Sequence, residues 1–310
     1  MTIFKHLSCA AALALAGGAV SAETVLIHGE AGPNRGARAD ALQWFADQVA
    51  ERSDGDIRFD IQWGGALFKA NAAVQSIADG VADTGSVIAV YYPQEMAGYG
   101  IADLPVNNPD AWVGMRATDE LMRSSQAIQD DLADKNLVYI GTWTTSQVNI
   151  GCKGGAIKSV ADISGKKVRG VGAYGKVFGE QGANMVNMSI YDAYQGLDTG
   201  LIDCSQGYSY AVAALKQAEV MDSYTILDWG QVGGLGIFMN KDMHDSLTPE
   251  QQETLASVGS DMADEFGRMI TEANDNAIAS MKEQGVEVIT LPEEDRAQLV
   301  EAGQKFFFFF

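Results

Sequence analysis

The sequence has few histidines, cysteines and basic residues, and these shortages exclude several kinds of protein. Its 310 residues include three histidines and three cysteines. His28 and His244, the histidines beyond residue 22, show no metal-ligand spacing with cysteine, which argues against a metal site. No Ser/His/Asp pattern and no G-x-S-x-G motif accompanies them. We therefore expect no metal, no other cofactor and no enzymatic activity.

Positive charge is scarce as well. Lys and Arg total 21 against 41 Asp and Glu, which gives a formal net charge of -20 and a pI of about 4.4. Phosphate contacts require clustered Lys and Arg, so neither nucleic acid nor an anionic membrane surface is an expected partner. The net charge leaves the ligand's charge open, because an acidic protein can still hold one local cationic site.

Long apolar runs are also missing, and the one near the N-terminus is short. Lys5 precedes an apolar stretch at 10–20, and Val20-Ser21-Ala22 has the small-x-small form of a cleavage site. This pattern predicts a signal peptide at 1–22, cleaved after Ala22, and an exported, periplasmic protein. The run is too short to span a bilayer, and no later run is long enough for a transmembrane helix.

Two cysteines, Cys152 and Cys204, remain after removal of the predicted signal peptide. In the oxidising compartment outside the cytoplasm a pair of cysteines is usually bridged, so we predict a Cys152–Cys204 disulfide. The alternative is two unpaired thiols that pack as small apolar side chains.

The mature region alternates between strand and helix patterns, which is typical of an α/β sheet. Residues 24–30 form a predicted strand and 38–53 an amphipathic helix. Residues 56–63 alternate apolar and polar side chains, as a half-buried strand does. A second alternating set starts near Cys152. The length and the two sets predict two lobes.

Residues 191–207 read as a helix that stops at Gly200, a short buried strand at 201–203 and a polar loop at 203–207. The last third reads as one long helix. Thr248 and Gln251 form a capping-box pattern, and helical spacing continues to Glu283, which corresponds to roughly 50 Å at 1.5 Å per residue. Such a helix would run along both lobes. The five phenylalanines at 306–310 are treated as an artefact tail, because an acidic domain does not normally expose an apolar patch.

Four segments of the chain, in the same order, resemble segments of the extracytoplasmic solute receptors of TRAP transporters, the DctP-like branch. Residues 39–67 resemble the family's opening helix, turn and second strand. VQSIADGVADTG resembles v-Q-x-l-x-x-G-x-x-D, and KSVADISGKKVR resembles k-s-x-x-D-l-x-G-l-K-i-R. Residues 194–203 resemble v-Y-x-A-L-q-x-G-v-v-D-G. The four segments are spread over most of the mature chain.

The resemblance implies a bilobed α/β periplasmic binding protein, type II-like, with crossing strands near Gly151 and Val232 and a long spine helix. Lobe I would comprise 23–151 plus 233–272, and lobe II 152–232 plus 273–305. Such a receptor closes over a small organic acid and delivers it to a TRAP membrane permease driven by an ion gradient. We expect a monomer. The alternatives are a binding protein for an amine or zwitterion, or a ligand sensor for a membrane receptor.

The resemblance also assigns the ligand anchor to Arg169, which ends the family's K-x-R motif. A guanidinium can give a carboxylate two parallel N–H donors, whereas the alternative reading of Arg169 is a solvated surface charge. The sequence departs from the family at Gly154-Gly155, where many members carry a basic residue, and at Cys204-Ser205-Gln206-Gly207. Both loops are expected to face the cleft, so the missing basic side chain at Gly155 favours a monocarboxylate.

The remaining candidates for ligand contact follow strands or lie in loops. Glu30 comes after the first strand, where an acidic group would suit an amine or hydroxyl; the alternative is a carboxylate at a helix N-terminus. Aromatic residues in such places can pack against a ligand's apolar part or a cation, although they are more often core. The ligand-binding candidates besides Arg169 are therefore Glu30, Tyr91, Trp143, Gln206 and Tyr208.

Overall fold

The structure, a computed structural model, describes residues 23–108, 110–143 and 146–309. The predicted signal peptide at 1–22, its cleavage after Ala22 and the last phenylalanine lie outside these residues. Within them, no helix is both long enough and apolar enough to cross a membrane.

Strands and helices alternate along most of the chain, as the sequence pattern predicts. The strands are β1 Thr24–Gly29, β2 Ile57–Gln62, β3 Thr84–Ile88, β4 Leu137–Thr142, β5 Gln147–Cys152, β6 Lys167–Arg169, β7 Asn184–Val186, β8 Cys204–Gly207, β9 Ser223–Gln231, β10 Leu235–Asn240 and β11 Glu287–Thr290. The helices are α1 Ala37–Arg52, α2 Ala73–Ala78, α3 Ala97–Gly100, α4 Ala111–Ser124, α5 Gln126–Asp134, α6 Gly172–Glu180, α7 Ala193–Asp198, α8 Ser209–Ala214, α9 Lys241–Ser246, α10 Pro249–Glu283 and α11 Glu293–Gln304.

The strands form two mixed sheets, one in each lobe. The first sheet has the order β2-β1-β3-β10-β4, in which β10 is antiparallel to both of its neighbours. The second has the order β11-β9-β5-β8-β6-β7, in which β5 is antiparallel to β8 and β9. The predicted fold class, two α/β lobes with crossing strands and a long helix, is confirmed.

The described chain passes from one sheet to the other three times: between β4 and β5, between β9 and β10, and between β10 and β11 along α10. It passes from β9 to β10 through residues 232–234, which agrees with the crossing predicted near Val232. The crossing between β4 and β5 lies between Thr142 and Gln147 rather than near Gly151. Because β5 pairs within the second sheet, residues 147–151 lie in the second lobe, whereas the predicted boundary at residue 151 would place them in the first. The division into lobe I and lobe II at the stated residues otherwise stays a prediction.

Helix α10 has 35 residues and runs without a break to Glu283, as its pattern predicts. Thr248 accepts a hydrogen bond from the Gln251 amide, which completes the predicted capping box. The helix packs against α1, α4 and β4 of the first lobe and against α8 and β11 of the second. Its Gly259 lies directly on Gly141 of β4, where an added Cβ would come within 3.0 Å of backbone atoms. The helix therefore belongs to the core of both lobes.

One local prediction is wrong. Residues 204–207, expected to be a polar loop after a buried strand, are themselves the fully buried strand β8, whereas Leu201 is 55% exposed. Strand β8 lies between β5 and β6, so its backbone is paired on both sides. Small and polar side chains suffice there because the backbone pairing, and not an apolar run, defines the strand.

Candidate functional site

The two lobes meet where strands of both sheets end, and a cavity of about 1120 Å³ lies between them. Its walls include Lys69 and Tyr91 from the first lobe and Met188, Tyr194 and Lys216 from the second. In the parallel parts of the sheets, β1, β3, β6 and β8 end towards this region. Ligand sites in α/β proteins characteristically lie beyond such carboxyl ends, so the cleft is the candidate binding site.

Arg169, the last residue of β6, is 2% exposed and hydrogen-bonded on three nitrogens. Nε donates to the Met188 carbonyl at 3.1 Å and Nη1 to the Gln206 carbonyl at 2.7 Å. Nη2 donates to the Tyr91 hydroxyl, 3.0 Å away in the other lobe. The surface-charge reading of Arg169 is thus wrong. Since a guanidinium has five N–H donors, one hydrogen on each of Nη1 and Nη2 has no acceptor among the described residues. Arg169 adjoins the cavity through Tyr91 and Met188, which line it.

Gln206 contributes to this group through both its backbone and its side chain. Its carbonyl receives Arg169 Nη1, and its side-chain Oε1 accepts a hydrogen bond from the Val171 amide at 2.9 Å. The side chain therefore holds the segment after β6 in place and fixes the direction of the arginine. Three of the predicted ligand residues, Arg169, Tyr91 and Gln206, lie together in this way.

A second buried cation, Arg38, lies in the same interlobe region and was missed by the sequence reasoning. It is the second residue of α1 and is 8% exposed. Nε donates to Tyr210 Oη at 3.1 Å and Nη1 to Tyr191 Oη at 3.0 Å, both in the second lobe. Arg38 thus bridges the two lobes, as Arg169 does.

Aromatic rings surround the Arg38 guanidinium. Its Cζ is 5.2 Å from the ring centre of Trp143, 5.9 Å from that of Tyr208 and 5.6 Å from that of Tyr210. The Trp143 indole N–H also donates to the Arg38 carbonyl at 3.3 Å. Burial opposes the charge of Arg38, but the surrounding tyrosines raise its pKa above the ordinary value. The predicted candidates Trp143 and Tyr208 therefore form a cation–π enclosure for an arginine of the protein itself.

One signal in the sequence could have revealed Arg38. A cation in the first turn of a helix is unfavourable, because the N-terminus carries the positive end of the helix dipole. Arg38 occupies this position in α1. A basic residue there requires a compensating environment, and the aromatic rings and tyrosine hydroxyls supply it.

Glu30, directly after β1, is 2% exposed and lies close to Arg38. Its Oε1 accepts hydrogen bonds from the Gly32 amide at 2.5 Å and the Tyr191 hydroxyl at 3.4 Å. Oε2 is buried, with no hydrogen-bond partner of good geometry among the residues described. Burial raises the pKa of the Glu30 carboxyl, while the Ser86 hydroxyl, the Gly32 amide and Arg38 oppose that shift.

His28 lies behind Glu30 and belongs to the scaffold. Its Nδ1 is 3.0 Å from Thr84 Oγ1 and its Nε2 is 3.3 Å from Ser86 Oγ. Complete burial lowers the pKa of His28 to about 3, so the ring is neutral at physiological pH. The ring therefore links β1 to β3 through two hydroxyl groups without adding charge near the cleft.

A single turn connects the two groups of candidate residues. Ile190–Asp192 form a 3₁₀ turn in which the Ile190 amide donates to the Tyr91 hydroxyl at 3.0 Å. The next residue, Tyr191, receives Arg38 and donates to Glu30 through its hydroxyl. The Arg169 group and the Arg38 group therefore lie on either side of the same turn.

The loop with Gly154 and Gly155 lies elsewhere, contrary to expectation. It follows Cys152, at the end of β5 that is remote from β4 and the crossing, and a Cβ on Gly155 would meet only the Lys166 ammonium. Both glycines are exposed. A basic side chain at Gly155 would not reach the cleft, so the preference for a monocarboxylate that was based on its absence loses its support.

The predicted disulfide is present and joins Cys152 to Cys204 across the paired strands β5 and β8. Cys204 begins β8, whereas Tyr208 follows its other end. The bridge therefore joins β5 and β8 at the ends of these strands that point away from the cleft. The expectation that the cysteines lie on cleft-lining loops is wrong.

Comparison with protein families gives one match over most of the chain. The profile described as "Bacterial extracellular solute-binding protein, family 7" (DctP) matches residues 28–308. Among curated relatives, the 2,3-diketo-L-gulonate-binding periplasmic protein YiaO of Escherichia coli K12 is 25% identical over 256 residues, which are 81% of this chain and 76% of YiaO.

Solved structures share the fold. A TRAP periplasmic solute-binding protein of Rhodoferax ferrireducens with bound malonate has a TM-score of 0.80 at 21% identity, covering 90% of each chain. A marine metagenome TRAP solute-binding protein from an unidentified microbe, described as specific for aromatic acid ligands and bound to 3-hydroxybenzoate, also has a TM-score of 0.80. It is 23% identical, with 91% of this chain and 89% of that chain covered.

Proposed function

This chain belongs to family 7 of the bacterial extracellular solute-binding proteins, the DctP family, and we propose that it captures a small organic acid in its interlobe cleft and delivers it to a TRAP permease. The family is extracytoplasmic and consists of binding proteins rather than enzymes. Cleavage of the signal peptide after Ala22, a periplasmic location and a monomeric state remain parts of the proposal.

The observation that carries the proposal is the position of Arg169. A buried guanidinium needs a compensating partner, and carbonyl oxygens and a phenol supply only partial charges. A carboxylate on the two N–H groups that have no acceptor in the described part of the chain would complete the compensation through charge-assisted bonds. The proposed roles are Arg169 as the anchor, Tyr91 as a contact from the other lobe and Gln206 as the residue that orients the anchor.

The acid is also supported by what similar proteins bind. Diketogulonate, malonate and 3-hydroxybenzoate differ in size and shape, and each carries a carboxylate. The carboxylate that these solutes share suits an arginine anchor, whereas other residues must contact the remainder of the solute. Glu30, Trp143 and Tyr208 are the proposed residues for this second task, together with Arg38.

A zwitterionic solute is a second candidate, because Glu30 offers a buried carboxylate oxygen that has no hydrogen-bond partner of good geometry among the residues the structure describes. Such a solute would keep the carboxylate on Arg169 and direct its ammonium group to Glu30. A third possibility concerns the protein partner and not the ligand: the closed, ligand-bound form could bind a membrane receptor that acts as a sensor. Uptake of the solute by liposomes carrying the cognate permease, dependent on this protein and an ion gradient, separates transport from sensing.

A thermal-shift screen of acids, amines and zwitterions tests the ligand class. A ligand at 100 times its dissociation constant adds about 2.7 kcal/mol of stability, which such a screen detects readily. Stabilisation by amines alone, with no response to any acid, would contradict the proposal.

The best acid is then measured against Arg169→Ala and Arg169→Lys. Truncating a buried charged partner typically costs about 2–5 kcal/mol of binding, and lysine should restore only part because it cannot bind bidentately. Arg268→Ala, an exposed arginine paired with Glu265 on α10, is the matched control. Wild-type affinity in Arg169→Ala would remove Arg169 as the anchor.

A further inference from the structure

A small recess lies at the back of the cleft. Its lining includes Glu30, Gly32 and Arg38 from the first lobe and Tyr191 and Leu215 from the second. It shares Tyr191 and Leu215 with the wall of the large cavity, so it opens from that cavity. The space in the recess that the centre of a water-sized sphere can occupy is about 10 Å³, which is close to what one water-sized group requires on that measure.

Two buried charged side chains, Glu30 and Arg38, face each other across the recess lining; Arg35, which also lines it, is exposed and donates through Nε to the Ala214 carbonyl. Glu30 Oε2 is buried and has no hydrogen-bond partner of good geometry among the described residues, although the Ser86 hydroxyl is near enough to lower the Glu30 pKa.

Arg38 uses Nε for Tyr210 and Nη1 for Tyr191, and its Nη2 donates to no residue in the described part of the chain. Both Glu30 and Arg38 are more than nine-tenths buried. Of these atoms Glu30 Oε2 is the buried one left unsatisfied, which is costly, and a ligand group that donates to it removes that cost.

We propose that the recess binds a hydroxyl group of the solute, which donates to Glu30 Oε2 and accepts from Arg38 Nη2. This inference rests on the proposed function and narrows it to hydroxylated organic acids, with the carboxylate held at Arg169. A hydroxyl is one non-hydrogen atom that both donates and accepts, so it fits the volume and both protein groups at once.

Other polar groups fit less well. A second carboxylate has three non-hydrogen atoms and places negative charge against Glu30. An ammonium group has no acceptor for Arg38 Nη2 and places positive charge against the guanidinium. The hydroxyl is the group that satisfies both sides of the recess without a like-charge contact.

Both lobes build the recess, which makes it selective. Glu30 and Arg38 come from the first lobe, whereas Tyr191 and Leu215 come from the second. A solute group held there is enclosed by closure and has no access to bulk water. Sites that hydrogen-bond a substrate hydroxyl in this way discriminate strongly against the analogue that lacks it. The recess would therefore decide which acids the protein accepts.

The test uses two sets of acids that differ in one group. The first set is propionate, lactate and alanine; the second is benzoate, 3-hydroxybenzoate and 3-aminobenzoate. Dissociation constants are measured by calorimetry for the wild-type protein and for Glu30→Gln, Arg38→Lys and Glu219→Gln. Glu219 lines the outer cavity and pairs with Lys216, so its variant makes the same chemical change in the same cleft outside the recess.

We expect at least one hydroxy acid to bind the wild type about tenfold or more tightly than its unsubstituted partner, in line with hydrogen bonds to charged groups. Glu30→Gln should reduce that ratio at least fivefold. Arg38→Lys should also reduce the ratio, and Glu219→Gln should leave it unchanged. Melting temperatures without ligand establish that each variant is folded.

The following results would overturn the inference. An equal affinity for hydroxylated and unsubstituted acids, or a ratio unaffected by Glu30→Gln, removes the hydroxyl site and leaves the acid-binding function intact. Tighter binding of alanine than of lactate assigns the recess to an ammonium group, and tighter binding of 3-aminobenzoate than of 3-hydroxybenzoate assigns it to a neutral amine, because an aryl amine is uncharged at neutral pH. Failure of every acid, here and in the wider screen, overturns the proposed function together with this inference.

Discussion

The hydroxyl of Tyr91 accepts two hydrogen bonds from the opposite lobe, one from Arg169 Nη2 and one from the Ile190 amide, each at 3.0 Å. Tyr91 ends the 3₁₀ turn Ala89–Tyr91 after β3 in the first lobe. Its hydroxyl therefore connects the two lobes at Arg169, the residue proposed to hold the ligand. A ligand bound to Arg169 would lie next to the hydrogen bond between Arg169 and Tyr91, which helps to hold the lobes together.

Replacing Tyr91 by Phe should loosen the closed state without changing the pocket's shape. Loss of a hydrogen bond to a charged group corresponds to about 1.5–3 kcal/mol, so we expect the acid to dissociate roughly tenfold or more faster. Association should change little, because encounter takes place in the open form. Stopped-flow kinetics measure both rates.

Tyr194→Phe is the control, because Tyr194 lines the same cavity from the second lobe. Small-angle scattering adds the structural readout: saturating ligand should compact the wild type, as expected of two-lobe closure, and compact Tyr91→Phe less completely. A dissociation rate equal to that of the wild type, or no compaction of the wild type at saturation, would contradict this role.

Removing the disulfide should lower stability and leave binding intact. The Cys152–Cys204 bridge links two residues that are 52 positions apart in the sequence. It joins the paired strands β5 and β8 at their ends away from the cleft. The double variant Cys152→Ala, Cys204→Ala is expected to lose about 2–5 kcal/mol of unfolding free energy in a denaturant titration. The affinity for the best acid should stay within about threefold of the wild type.

Intact mass after alkylation, with and without reductant, shows whether the bridge forms in exported protein. Two free thiols in that material would contradict the prediction. A large loss of affinity in the double variant would instead mean that the bridge, by holding β5 and β8 together, also keeps the cleft residues in place.

The pH dependence of stability should contain a contribution from Asp103. Its Oδ1 accepts a hydrogen bond from Gly234 at the crossing between β9 and β10, and its Oδ2 has no partner among the described residues. Burial raises the pKa of Asp103 from 3.8 to about 7, against the opposing effect of the Gly234 amide. Between these two values the native state holds a proton that the unfolded state has lost, so stability rises as pH falls from 7 to 4.

Asp103→Asn mimics the neutral carboxyl and keeps an oxygen for the Gly234 amide. We compare the unfolding free energy of Asp103→Asn with that of the wild type at each pH. The variant's advantage should be larger at pH 8 than at pH 4, by on the order of 2–4 kcal/mol. The difference between the two proteins is the measured quantity, since His28, Glu30 and the other titrating groups are common to both. A difference that does not vary with pH would show that Asp103 is charged in the folded protein.

Several features of this protein are determined locally and could be predicted. Residues 57–62 alternate and form a half-buried strand, and the Thr248–Gln251 cap begins a helix that continues to Glu283. Arg169 could be assigned because a family motif ends at it. These features depend on side-chain period, capping chemistry or a short motif, all of which are visible along the chain.

Other features depend on which segments become neighbours. Strand β8 has no apolar run, and its place between β5 and β6 makes residues 204–207 a strand. The same sheet directs Gly155 away from the cleft, because β5 is antiparallel to β8. Neither the orientation of a strand nor the identity of its neighbours is encoded in its local pattern.

Arg38 is the clearest example of what only the tertiary structure decided. In the sequence it is a charged residue at the start of an amphipathic helix, 105 residues before Trp143 and more than 150 before the tyrosines that it contacts. Burial becomes favourable only when the two lobes bring Trp143, Tyr191 and Tyr210 around one guanidinium. The sequence by itself thus determined most of the elements, the family and one candidate arginine, whereas the packing of the two lobes revealed the second arginine, because its partners lie in segments that only the fold brings together.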